Sequence, residues 1–154
     1  MGNVKKVVAI TLAIVTIMSI FAVSASAANT SDTYFSRYIN TDMFYPIDAR
    51  RKEDASAIYL YVDRVTDGSL SVRVRAKGRM TEKDTEAPPN LTYKNGAIVS
   101  SVVCRVDVDY SVHNLIHESG YPFAVLDFRN NEGTSSATVQ GYWSPDSYGT
   151  YTDP

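Results

Sequence analysis

Between residues 58 and 77 apolar and polar positions alternate almost without error. Ile58, Leu60 and Val62 interleave with Tyr59, Tyr61 and Asp63, and Leu70, Val72, Val74 and Ala76 interleave with Ser71, Arg73, Arg75 and Lys77. Period two predicts strands with one dry and one wet face. Thr66-Asp67-Gly68-Ser69 lies between them, and Asp-Gly supplies the positive φ that a tight hairpin needs. Residues 58–77 are therefore expected to form a β-hairpin.

The same pattern recurs downstream. Ile98 to Asp109 is expected to form one strand, with Val102, Cys104, Val106 and Val108 facing one way and Arg105, Asp107 and Asp109 the other. Ala124, Leu126 and Phe128 alternate with Val125, Asp127 and Arg129, and Ala137 to Trp143 gives a last strand. Asn95-Gly96, Asn130 to Gly133 and Ser144 to Ser147 carry turn signals. Val112, Leu115 and Ile116 have helical spacing before Gly120, so Ser111 to Ser119 is the single helix candidate, two turns at most. Tyr38 to Ile47, broken by Pro46, is a possible edge strand, Arg50 to Asp54 a charged loop, and Gly78 to Asn90 a long loop with Pro88-Pro89. The pattern predicts an all-β protein, an antiparallel β-sandwich or small open barrel of about 6–8 strands.

The N-terminus breaks this pattern. Lys5 and Lys6 precede an apolar run from Val7 to Val23, and the small residues Ser24-Ala25-Ser26-Ala27-Ala28 follow. A basic start, an apolar centre and a small-residue end predict a secretory signal peptide, residues 1–27, cleaved after Ala27, with Ala25 and Ala28 as neighbouring options. The expected organisation is then 28–49 as an N-terminal leader and edge segment (with Asn29 to Arg37 polar and mobile), 50–147 as one β domain and 148–154 as a C-terminal tail. The expected localisation is secreted, extracellular, with no membrane attachment once the signal is gone.

Charge and composition narrow the function. Without the signal the chain holds 13 basic and 17 acidic residues, a net charge of −4. A mildly acidic surface argues against nucleic acid and anionic membranes as main partners. Cys104 is the sole cysteine, so no disulfide can form within the chain, and its apolar strand makes it a buried small hydrophobe. All 11 tyrosines lie beyond the signal.

Candidate chemistry is sparse. On a helix His113 and His117 would share a face, as metal ligands often do, but no third ligand has suitable spacing; surface histidines are expected and no metal site. Asp107, Asp109 and Asp127 could gather on one sheet face, yet no calcium-loop spacing surrounds them. Pairing with Arg73, Arg75 and Lys77 across the sheet is the expectation. No Gly-x-Ser-x-Gly elbow and no Gly-rich phosphate loop occurs. No catalytic residue, no enzymatic activity and no cofactor are expected. The remaining lead is aromatic: Tyr142 and Trp143 near the C-terminus, with Tyr148 and Tyr151, and Tyr59 and Tyr61 opposite the Ile58/Leu60 face. An exposed aromatic patch suits sugar or protein recognition, whereas Trp143 could equally close one end of the core.

Three stretches carry a resemblance. Arg51-Lys52-Glu53-Asp54 leads into the Ile58–Val62 strand, Tyr110-Ser111-Val112 leads to Gly120-Tyr121, and Gly141-Tyr142-Trp143-Ser144-Pro145-Asp146-Ser147 ends the domain. Together, over about residues 50–147, they resemble a group of small secreted β-rich proteins of gram-positive bacteria with no established function. The resemblance implies secretion and a β-rich fold, and it supplies no catalytic residue. The functional expectation is a monomeric, non-catalytic extracellular binding module for a cell-envelope glycan or a protein, with Tyr142, Trp143, Tyr59 and Tyr61 as binding residues. The alternative is a bacteriocin-like or signalling polypeptide.

Overall fold

A computed structural model describes residues 28–83, 87–132 and 136–154. The expected signal peptide, 1–27, lies outside the described residues. Among the described residues eleven strands form: β1 (Thr33–Ile39), β2 (Tyr45–Pro46), β3 (Arg50–Arg51), β4 (Ile58–Val65), β5 (Ser71–Arg79), β6 (Tyr93–Lys94), β7 (Ala97–Ile98), β8 (Val102–Arg105), β9 (Asp109–Val112), β10 (Phe123–Asn130) and β11 (Ala137–Ser144). One sheet has the order β1-β11-β4-β9 and the other β2-β10-β5-β8, with β3 also pairing with β10. All named strand pairs are antiparallel. The two open sheets make an antiparallel β-sandwich, as the periodicity predicts.

The connectivity differs from the expected hairpin. β4 and β5 have the expected composition and turn, and the Gly68 N–H donates to the Val65 carbonyl at 3.1 Å. They do not pair with each other. β4 pairs with β11 and β9 in the first sheet, whereas β5 pairs with β10 and β8 in the second. The same holds for β1/β2, β8/β9 and β10/β11. The sandwich is thus four arches stacked in the order β1/β2, β11/β10, β4/β5, β9/β8, each folding over from one sheet to the other. Apolar faces of both arms then meet in the middle. Phe35 of β1 stacks on Phe128 of β10 across the interior at 4.9 Å. Ile58, Leu60, Val62, Val72, Val74, Ala76, Leu126 and Phe128 have no solvent exposure.

Five further expectations are corrected. Residues 98–109 are not one strand: the chain turns at Asp107, whose φ is +60°, and passes from the second sheet (β8) to the first (β9). The helix expected over 111–119 is absent; Ser111 and Val112 belong to β9, and 116–120 form turns, with the Ser119 N–H donating to the Leu115 carbonyl. The apolar spacing arises because Val112 and Ile116 both enter the core by different routes. The polar leader is no mobile segment, since Thr33–Ile39 pairs along β11 for seven residues. The 50–54 loop contains the short strand β3 against β10. Finally, the tail docks on the free edge of β9, where the Thr152 N–H donates to the Asp109 carbonyl and the Ser111 N–H to that of Thr152. The Asn95-Gly96 turn is as expected: both residues have positive φ, 52° and 84°, and close the β6–β7 hairpin.

Candidate binding face

The outer face of the first sheet is built by alternation. In β11 Trp143 turns inward and Tyr142 outward; in β4 Leu60 turns inward and Tyr59 and Tyr61 outward; in β1 Phe35 turns inward and Tyr34 outward. Register then aligns them. Tyr34 pairs with Tyr142, Tyr142 with Tyr61, and Tyr61 with Asp109, so one level of the sheet reads Tyr–Tyr–Tyr–Asp across four strands. The Tyr34 and Tyr142 rings meet edge to face at 5.5 Å, and both are about half exposed. Tyr59 lies one level away against Tyr151 of the docked tail, with ring centres 4.9 Å apart. Edge-to-face and tilted contacts of this kind hold rings in place without burying them.

Two carboxylates border the row. The Tyr59 hydroxyl donates to Asp109 Oδ1 at 2.6 Å, and the Tyr61 hydroxyl donates to Asp107 Oδ1 at 3.1 Å. Burial together with the Asp109 carboxylate pushes the Tyr59 phenol far above the usual range. The hydrogen bond to Asp107, then partial desolvation, raises that of Tyr61. Both rings therefore stay neutral and remain donors to carboxylates that keep further lone pairs free.

Of the four aromatic residues expected to bind, Tyr142, Tyr59 and Tyr61 share this face. Trp143 does not. Its ring is 2% exposed and sits in the core with the Arg50 guanidinium 5.5 Å from its centre, while Arg50 Nη1 donates to the Trp143 carbonyl at 3.0 Å. Strand alternation forces this, because Tyr142 and Trp143 are neighbours and must point to opposite faces. Hydropathy alternation does not single out Tyr34, which lies in the expected leader; only its register with Tyr142 reveals it. Tyr148 is exposed in the tail.

The other candidates resolve separately. Asp107, Asp109 and Asp127 do not gather on one face. Asp127 lies on the second sheet, paired with Arg75 at 2.8 Å and Lys77 at 3.1 Å as the charge pattern predicts. His113 and His117 line different clefts, of 260 and 270 Å³. His113 Nε2 is 2.9 Å from Asp153 Oδ1, and the Lys94 ammonium donates to the Pro154 carbonyl, so this cleft serves to hold the C-terminal segment. Among the described residues no three His, Cys, Asp or Glu side chains are grouped to hold a metal ion. Cys104 is fully enclosed.

The fold and face define a β-sandwich with an aromatic outer sheet. A family model described as a protein of unknown function, DUF2712, matches residues 21–147, and the chain belongs to that family. No curated protein and no solved structure matches the chain.

Proposed function

We propose that the protein is a secreted, non-catalytic binding module that lays the outer face of its first sheet on a neutral glycan of the cell envelope. The observation that carries this reading is the aligned row Tyr34–Tyr142–Tyr61 ending at Asp109. Partly exposed rings at one level of the sheet offer apolar surface to the C–H faces of sugar rings. The Asp107 and Asp109 carboxylates beside them accept hydrogen bonds from sugar hydroxyls. Asp63 on the same strand as Tyr61 adds negative charge, which disfavours an anionic ligand here. Contiguous exposed apolar surface rimmed by polar groups is the usual mark of an interaction site.

The test is co-sedimentation of the purified protein with insoluble peptidoglycan, chitin and cellulose. Retention by at least one of them, weakened about tenfold by Tyr34→Ser or Tyr142→Ser, is the expected result. Retention by none, or retention indifferent to both substitutions, would overturn the reading. Growth inhibition of related bacteria by the purified protein would replace it with the bacteriocin-like alternative.

A further inference from the structure

The second sheet presents the opposite chemistry. Its outward positions on β5 are Ser71, Arg73, Arg75, Lys77 and Arg79; β10 adds Asp127 and Arg129, and β8 adds Arg105. Arg75 and Lys77 share the single Asp127 carboxylate, which offsets one of their two charges. Glu132, the other carboxylate at this face, accepts from the Ser71 hydroxyl. Arg73, Arg105 and Arg129 have no carboxylate partner among the described residues.

Their register makes this unusual. Arg73 and Arg129 are directly opposed on neighbouring strands, and Arg105, paired with Ser71, lies diagonal to Arg73. Directly opposed side chains start about 5 Å apart at Cβ, and like charges there are destabilising. The sheet holds this arrangement rather than relieving it. Phe44 lies against the guanidiniums of both Arg75 and Arg129, at 3.8 and 4.8 Å, fixing them side by side. Among the described residues the Nε atoms of Arg75, Arg79 and Arg129, and Oδ1 of Asp127, are enclosed without a hydrogen-bond partner. Along β5 the cations recur every second residue, a step of about 7 Å, for about 20 Å.

We propose that this face binds a linear polyanion bearing repeated phosphate groups and no nucleobases. A phosphate seated between Arg73 and Arg129 would turn a repulsive pair into two charge-assisted contacts, for which the guanidinium fork is well shaped. The cations form a partly buried row along one strand, which suits an extended chain and not insertion into a bilayer. The overall negative charge does not oppose it, because Asp63, Asp107 and Asp109 belong to the other sheet or its edge. This inference is independent of the tyrosine face.

The experiment titrates the purified protein with long-chain inorganic polyphosphate at low ionic strength. Parallel arms use inorganic phosphate, single-stranded DNA and phosphatidylglycerol vesicles. Polyphosphate is expected to bind most tightly and to weaken steeply as salt is added. Arg73→Ser and Arg129→Ser should each weaken it about tenfold, and Tyr142→Ser should leave it unchanged. Arg73→Glu, which pairs with Arg129, should abolish binding and raise the melting temperature. Absent polyphosphate binding, binding unaffected by the arginine substitutions, tighter binding to vesicles or DNA, or a lowered melting temperature in Arg73→Glu would each overturn the proposal.

Discussion

Lys52 Nζ stands 3.0 Å from Asp146 Oδ1, and neither side chain touches solvent. The ammonium also donates to the Ser56 and Pro145 carbonyls, at 2.7 and 2.8 Å, so all three of its protons are used. The carboxylate in turn accepts from the backbone N–H groups of Asn29 and Glu53. One buried pair thus ties the start of the described chain, the segment after β3 and the Trp-Ser-Pro-Asp ending to one another.

A buried pair that loses one member leaves a charge without compensation, at a cost of about 3–5 kcal/mol. Lys52→Met and Asp146→Ala are each expected to fall in that range by urea denaturation. Asp146→Ala also strands the backbone donors of Asn29, Glu53 and Asp54, so it should be the more severe. A loss below about 1 kcal/mol in both would show that the pair is not a structural tie.

Gly141 should tolerate no side chain. It pairs with Val62, while its neighbour Gln140 pairs with Arg64, so Asp63 is the extra residue of a bulge. A Cβ on Gly141 would lie 2.0 Å from the Tyr61 carbonyl oxygen. Backbone must move to admit it, which costs about 1–3 kcal/mol or more. Gly141→Ala is expected to lower the melting temperature and, by shifting Tyr61, to disturb the tyrosine row. A variant with unchanged melting temperature would contradict this packing.

Cys104 should be chemically silent in the folded state. Burial pushes its thiol far above the usual range, with only a weak opposing influence from Lys94. The thiolate is the reactive form, so native protein should resist a thiol reagent and react fully in denaturant. Prompt labelling of the native protein would contradict the enclosure.

Acid should loosen the turns that set the arches. Burial tends to raise the Asp67 carboxyl, but Ser69 and the Asn130 amide outweigh it and hold the pKa below the ordinary value. Asp54 is likewise lowered, with Ser56, Asp146 and Lys52 together outweighing its burial. A depressed folded-state pKa contributes stability that is present above about pH 4 and is lost as pH falls through the folded value. Melting temperature should therefore decline from about pH 4 downward, and Asp67→Asn should flatten that decline. An identical pH profile in Asp67→Asn would contradict the assignment.

The sequence carried the strands of this fold more faithfully than their partners. Alternation at 58–77 matches the observed burial through Ala76 except at the start of β5, where Leu70 is exposed and Ser71 is buried. Period two cannot say whether two strands pair in one sheet or face each other across a core, because both arrangements bury the same side. The decisive interactions, such as Tyr142 with Tyr61, join residues some 80 apart. The corner at Asp107 was equally hidden, because a positive φ at aspartate leaves no trace in the hydropathy pattern. For the site, Tyr59, Tyr61 and Tyr142 were legible as outward aromatics. Trp143 was placed with them by adjacency, although adjacency on a strand means opposite faces. The cations at Arg73, Arg75 and Lys77 were legible as a face; the opposition of Arg73 to Arg129 needed the register.

Contact of the Tyr34–Tyr142–Tyr61 row with a glycan is to be read by tyrosine-selective NMR during titration with chito-oligosaccharide and enzymatically released peptidoglycan fragments. Progressive shifts of the Tyr34, Tyr142 and Tyr61 ring signals are expected with either ligand, while the buried Tyr110 ring stays fixed. Ring signals of the row that do not move with either ligand, or shifts confined to residues outside the first sheet's outer face, would contradict it.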